Sequence, residues 1–281
     1  MSSIICLGNF GTGDINQYKV ANLLEYLITK FNCKIILGLG NNILNVDSDS
    51  DSDNITEKEF ENKFISPYIN ILDKVKFYNI FGNEDYKFKN IIKAQLEFSK
   101  INKKWVLPNN FYCFKKILNK VPIEFIAIDS NFTKLSKDIQ NIQEKWFINT
   151  VLDSRARWNI IYTHYPYDIN NSDTSSNNNL NKFYEIIFNT DKLSNKIDLI
   201  ICGHLKYQQH IYIPDKPNMI ISGVGGDYDK NDLINFNIYK ELKYISNNLG
   251  CVMLDFSKNN LKIQFFNIDK NKEYNFTIHK I

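Results

Sequence analysis

The sequence predicts an α/β fold in one domain over residues 1–281. Short apolar β-type runs alternate with segments of helical spacing through the first two thirds, which builds parallel strands. The last third reads as strands alone, which makes the sheet mixed. The early strands also end alike, in a Gly and then a polar residue, so polar groups gather at one edge of a sheet.

Each element follows from its pattern. Residues 4–7 and 34–39 are largely apolar runs that read as buried strands. Between them, residues 16–31 carry Val20, Leu23, Leu24, Leu27 and Ile28 on one helical face. Residues 76–81 form the next strand, and 111–117 with 123–129 form a hairpin. A helix at 138–153 precedes a strand at 158–163, and a helix at 180–189 precedes a strand at 197–202. Strands at 209–213, 219–222, 251–256, 261–268 and 274–278 complete the chain. No internal repeat or linker divides it. Two low-complexity stretches, 47–54 ("DSDSDSDN") and 170–179 ("NNSDTSSNNN"), read as surface loops. The first lacks the Gly turn and distal Glu of a calcium loop.

Composition narrows the classes. Hydrophobic residues make up 43% of 281, enough for a substantial core, and the net charge of +3 does not mark a nucleic-acid binder. No apolar run approaches the roughly 20 residues that span a bilayer. Asn is abundant, with 40 residues, and only two of the 34 basic residues are Arg, Arg155 and Arg157. That bias reflects AT-rich coding DNA, as of an AT-rich microbe or a large DNA virus. Five unclustered cysteines, four of them within apolar runs, are expected as buried free thiols, and no export signal opens the chain. These features predict an intracellular, cytoplasmic protein. Trp105, Trp146 and Trp158 are expected in the core, residues 87–93 on a solvated helix face, and His210 and His279 on or beside edge strands.

The candidate chemistry lies at the strand ends. His164 ends a strand in "IIYTHYPY", and His204 ends another in "LIICGHLKYQQ". Two histidines in matching positions can share one metal. "CLGNFG", "GLGNNIL" and "IFGNEDY" supply Asn9, Asn41 and Asn83 at the ends of three further strands.

The ordered set "GNFG", "GNNIL", "GNED", "THYP" and "GHLK" resembles the metallophosphoesterase (calcineurin-like) superfamily, most of all its tartrate-resistant, purple acid phosphatase branch. The family series is GDxG, GDxxY, GNHD, a GHxP-like His and GHxH. "INKKWVLPNNFYCF", "IQEKWFINTVL", "IISGVGG" and "NNLGCVMLDF" resemble further segments of that branch, so the likeness covers about residues 4–268. It implies a four-layer α/β/β/α sandwich with two mixed sheets, and two metal ions about 3–4 Å apart at the strand ends.

The departures decide the function that the resemblance implies. At the first metal, the family's Asp, bridging Asp, Tyr and last His positions hold Asn9, Asn41, Leu44 and Lys206. The catalytic His position of GNHD holds Glu84, so no catalytic residue is carried over. At the second metal, Asn83, His164 and His204 persist, with Asn41 as a weakened fourth ligand. A neutral carboxamide bridges two cations poorly, because it offers one good acceptor oxygen and no charge. The expected reading is a pseudo-phosphatase that keeps the fold for binding, scaffolding or a structural role. It is expected to bind no cofactor, or one weakly held Zn, Mn or Fe ion. The alternatives are a single-metal phosphomonoesterase on the His164/His204 side and a phosphate- or nucleotide-binding module. The branch includes a phosphatase-like anchoring protein, so a protein partner or self-assembly is expected. Asp85 is expected to orient a neighbour. Lys206 and Glu84 are expected to form an ion pair across the first site. Asp14 lies too far along its loop to replace the lost Asp.

Overall fold

In a computed structural model of the chain, residues 3–44, 57–87, 89–167, 178–228 and 240–280 are described. β1 (Ser3–Leu7), β2 (Ile35–Gly38) and β3 (Lys76–Asn79) are separated by α1 (Ile15–Phe31), then by α2 (Glu57–Phe60) and α3 (Ser66–Tyr68) joined through a π-helical turn. A short 3₁₀ turn at Glu84–Tyr86 leads to α4 (Lys89–Ile101) and β4 (Trp105–Val106). The hairpin β5 (Tyr112–Leu118) and β6 (Val121–Ala127) precedes α5 (Lys137–Asp153), β7 (Trp158–Thr163), α6 (Asn178–Asn189), α7 (Asp191–Ser194) and β8 (Leu199–Cys202). Strands alone follow: β9 (Gln208–Ile211), β10 (Asn218–Ser222), β11 (Leu242–Ser246), β12 (Gly250–Phe256), β13 (Asn260–Asn267) and β14 (Lys272–His279).

The strands form two seven-stranded sheets, ordered β14-β13-β12-β1-β2-β3-β4 and β11-β9-β10-β8-β7-β6-β5. Both are mixed. β1 to β4 run parallel while β12 to β14 run antiparallel, and β6, β7, β8 and β10 are the parallel part of the second sheet. The inner faces share one core, in which Ile4, Val252 and Leu254 join Phe125, Trp158 and Leu199. α1 covers the outer face of the first sheet with the buried residues the periodicity predicts. α5 and α6 cover the second, burying Phe147, Phe183 and Ile187 against Ile126, Ile161 and Ile200. This is the four-layer α/β/β/α sandwich. Because the parallel strands of both sheets point the same way, their C-terminal ends meet along one rim.

The structure bears out some local expectations and corrects others. Asp14 is the N-cap of α1, where its carboxylate accepts from the Asn16 and Gln17 backbone N–H groups at 3.0 and 3.2 Å. All five cysteines are free, but Cys113 is exposed, because it lies on the outward face of edge strand β5; Cys33 is buried. Trp105 and Trp158 are in the core. Trp146 is half-buried, its ring 5.0 Å from Phe111. His210 lies on β9, one strand inside the edge, buried and stacked on Phe276 at 3.6 Å. α4 is not a wholly solvated face: Ile91 is buried, while Lys93 is exposed. The stretch 47–54 lies outside the described residues, as does 170–179 apart from the start of α6 at Asn178.

Candidate functional site

The rim is closed by backbone contacts between strand ends that have no side chain to keep them apart. Asn9 N donates to Gly40 O at 3.1 Å, Gly203 N to His164 O at 3.0 Å, and Gly225 N to Gly8 O at 2.9 Å. A Cβ on Gly82 would stand 2.3 Å from the Asn41 nitrogen, and Gly40 adopts φ +88° with its Cβ position 2.6 Å from His164 Nδ1. Only glycine lets these loops approach so closely. Asn9, Asn41 and His204 have φ of 54°, 57° and 59°. That left-handed conformation turns each side chain into the crevice, and Asn adopts it readily.

Asp85 is the hidden frame. It is fully buried and accepts from the backbone N–H groups of Asn41 (2.8 Å), Asn42 (3.1 Å), Ile43 (3.3 Å) and Gly82 (2.8 Å), and from Gln95 Nε2 (2.8 Å). Burial pushes its pKa up to about 6, against the pull of those donors. It therefore orients the second and third motif loops and faces away from any ligand, as expected.

The side chains in the crevice form a chain of amides whose orientation can be derived. Asn9 Nδ2 donates to the carbonyls of His204 (3.1 Å) and Gly223 (2.8 Å). Its Oδ1 must therefore face Asn41, whose Nδ2 donates to it at 2.9 Å and to Asn83 Oδ1 at 3.4 Å. Asn41 Oδ1 is left to accept from the Glu84 backbone N–H at 3.0 Å. Asn83 Nδ2 donates to Glu84 Oε1 at 2.8 Å, which leaves Asn83 Oδ1 pointing at the histidines. The bridging position is thus still a bridge, but it joins two amide oxygens through N–H donors. Both Asn9 and Asn41 are almost fully buried.

The histidines end this chain. His164 is fully buried, and its Nδ1–H donates to the Leu39 carbonyl at 2.7 Å. Burial first, then the neighbouring His204, lowers its pKa to about 3, so the ring is neutral and Nε2 carries a lone pair. That Nε2 lies 2.8 Å from Asn83 Oδ1 and 3.3 Å from His204 Nδ1, and His204 Nδ1 lies 3.2 Å from Asn83 Oδ1. Three atoms that can each offer a lone pair converge. Without a cation, a proton on His204 Nδ1 can be shared with the other two atoms. The Tyr165 ring, 4.1 Å from that of His204, walls the pair on one side.

The expected Glu84–Lys206 ion pair is absent, and the first site is not spanned by charge. Lys206 Nζ pairs with Asp227 Oδ2 at 2.9 Å, and the Lys206 side chain is 47% exposed. Glu84 pairs with Lys87 on the next turn. Each ion found a partner at the solvent edge, which avoids the desolvation that a buried pair demands. Asp227 is placed by its N–H donating to Asn9 O at 3.0 Å. Sequence reasoning missed it, although the "GVGG" turn before it matched the family. It also missed Tyr165, whose only signal was adjacency to His164. Leu44 is buried.

Among the described residues no group of three His, Cys, Asp or Glu side chains is placed to hold a metal. At the first-metal position the residues do not fit an ion: two amides turn N–H groups inward or toward carbonyls, Leu44 has no donor atom, and Lys206 points out. At the second, His164 Nε2, His204 Nδ1 and Asn83 Oδ1 are spaced about as neighbouring ligands of one ion at roughly 2.0–2.1 Å would be.

Residues 4–208 match the calcineurin-like phosphoesterase family, and the chain belongs to it. Among curated proteins it is similar to purple acid phosphatase 4 of Arabidopsis thaliana, 21% identical over 297 residues, covering 99% of this chain and 84% of that one. Purple acid phosphatase 7 of the same plant is 23% identical over 303 residues, covering 99% and 86%. Among solved structures it is similar to GAP50, the anchor in the inner membrane complex of Plasmodium (TM-score 0.80, 20% identity, 99% and 89% coverage). Others are a purple acid phosphatase from yellow lupin seeds (TM-score 0.60, 13% identity, 99% and 53% coverage) and a dimetal phosphatase from Danio rerio (TM-score 0.61, 10% identity, 99% and 98% coverage).

Proposed function

We propose that this protein is a metallophosphoesterase-fold pseudoenzyme that serves as a binding or scaffolding protein in an intracellular setting. The observation that carries the reading is the Asn9–Asn41–Asn83 amide chain, which closes the first-metal position with internal hydrogen bonds. Two-metal chemistry needs anionic oxygens to offset two close cations and to activate a water. Here the bridging group is a neutral amide, and its two N–H groups are directed at the Asn9 and Asn83 oxygens. Glu84 would repel a phosphoryl oxygen. The anchoring role of GAP50, a protein of the same fold at 20% identity, supports a structural use. Among the described residues no helix is long and apolar enough to cross a membrane. The test is elemental analysis of purified protein together with hydrolysis of p-nitrophenyl phosphate at acid and neutral pH. No turnover is expected; two bound metals per chain, or turnover that chelator abolishes, would refute the reading.

A second reading rests on a separate observation, the convergence of His164 Nε2, His204 Nδ1 and Asn83 Oδ1. These residues would hold a single divalent ion, which when bound would supply a Lewis acid. The chain's own contribution would be the Leu39 carbonyl, which fixes the His164 tautomer and aims Nε2 inward. Zinc titration followed by calorimetry separates the readings: one site lost on His164→Ala supports the half-site.

A further inference from the structure

A second surface lies at the opposite end of the strands. β5 is the edge strand of its sheet, seven residues long, without proline, and among the described residues it pairs only with β6. Its outward-facing residues Cys113, Lys115 and Ile117 are all exposed, because α5 covers the sheet only from β6 inward. Beside the hairpin turn, Ile117, Pro122, Ile123 and Ala156 floor a cavity of about 440 Å³, rimmed by Lys115, Lys116 and Arg155. Ile117 is 75% exposed.

The charge on this surface is one-sided. Lys120 stands exposed at the turn, and no acidic residue lines the cavity. Lys115 reaches the buried Glu124 only at 3.5 Å. Lys116 lies over the Tyr78 ring, and no side-chain hydrogen bond or ion pair engages Lys116, Lys120 or Arg155 among the described residues. Arg155 is also one of only two arginines among 34 basic residues. Natural sheets usually blunt long edges, and lysines do so here against another basic or neutral strand. Against an acidic strand the same lysines attract.

We propose that the β5 edge and its cavity dock an extended acidic segment of a partner protein. The segment adds as a strand to β5, seats one large apolar side chain over Ile117, Pro122 and Ala156, and sets carboxylates against Lys115, Lys116 and Arg155. A concave pocket beside a free strand edge suits a peptide better than a flat lipid surface. The proposal does not depend on whether the strand-end crevice binds metal.

The probe is a fluorescein-labelled peptide, Glu-Val-Asp-Phe-Asp-Val-Glu, titrated into the full chain by anisotropy. Its partner control is Lys-Val-Lys-Phe-Lys-Val-Lys, and phosphatidylserine vesicles test the lipid alternative. Saturable binding of the acidic peptide is expected, weakening with salt and falling at least about tenfold in Ile117→Asp and in Lys116→Glu/Arg155→Glu. Amide exchange should slow along 112–118 when the peptide is bound. Thermal melts confirm that the variants fold; if Ile117→Asp does not, the Lys116→Glu/Arg155→Glu pair, half-buried and exposed respectively, carries the test. No binding, equal binding of the basic peptide, binding unaffected by the substitutions, or binding to vesicles alone would each overturn the proposal.

Discussion

Asn41→Asp is the most direct probe of the crevice, because one group changes and the family residue is restored. The Asn41 Nδ2 group donates to Asn9 Oδ1 at 2.9 Å and to Asn83 Oδ1 at 3.4 Å. An ionised Asp there has no donor, so two hydrogen bonds of about 1 kcal/mol each are lost. A carboxylate oxygen would also face two amide oxygens at a position only 5% exposed. The sum is a destabilisation of about 3 kcal/mol at pH 7 without metal. For a chain of this size that lowers the melting temperature by about 6 °C. The sign with pH is fixed by the same geometry. Burial among acceptors raises the new carboxyl above its unfolded value, so the penalty is complete above the folded pKa. It is relieved as pH falls through that value, because the protonated acid donates to Asn9 Oδ1. Differential scanning calorimetry in chelator at pH 7 and pH 4.5 reads both effects. A variant as stable as the parent at pH 7 would show that the amide chain does not hold the crevice together.

Other outcomes follow from the same contacts. Lys206→Met should cost less than about 1 kcal/mol by urea denaturation, since the Asp227 pair is 47% and 30% exposed; a loss near 3 kcal/mol would mean the lysine is held inside the crevice. Asp85→Ala should cost more than about 3 kcal/mol and raise amide exchange at 41–43 and 82, because it strands several buried donors. His164 has a folded pKa of about 3, below its unfolded value, and so lowers stability as pH falls below about 6.5; Asp85, raised to about 6, lowers stability as pH rises from about 4 to 6. Their slopes oppose between pH 4 and 6, so His164→Gln should leave a variant that loses stability over that rise, where the parent changes little. The joint change Asn9→Asp, Asn41→Asp, Leu44→Tyr and Lys206→His should restore binding of two metals by elemental analysis, while each single change restores none.

The sandwich was legible because its signals are local and repeated. Helical spacing in α1 and continuous apolar runs in β1, β2, β7 and β8 fix which faces are buried, and Gly-polar strand ends mark the rim. β4 and β11 escaped notice: one is two residues long, and the other is half-exposed, so neither carries a periodic pattern. The candidate residues were legible as positions but not as contacts. His164, Asn83 and His204, the set taken from the resemblance, lie within 3.3 Å of one another through Nε2, Oδ1 and Nδ1. The Lys206–Glu84 pair did not form because sequence names the charges near a site, whereas desolvation decides which partners they take. Both residues had an alternative ion at the solvent edge, Asp227 and Lys87, and neither alternative has a motif to announce it.

The substitutions in the crevice make physical sense only as a set. A cluster of carboxylates holds together because cations lie between them; remove the cations and like charges face one another at hydrogen-bond range. Changing Asp to Asn at positions 9 and 41 removes that repulsion and supplies N–H groups that reach the neighbouring oxygens. The third amide, Asn83, is already the family residue and needs no change. Once the bridge is neutral, a Tyr anion at 44 has no cation to meet, and the buried Leu44 fills the same wall. A His at 206 loses its ion too, and a lysine that turns outward to Asp227 costs little. On the proposed reading, each replacement thus removes a feature that only metal would stabilise. The two histidines kept at the second position are held by contacts that need no metal, the Leu39 carbonyl and the Tyr165 ring. Persistence of His164 and His204 is therefore compatible with a crevice maintained for its shape.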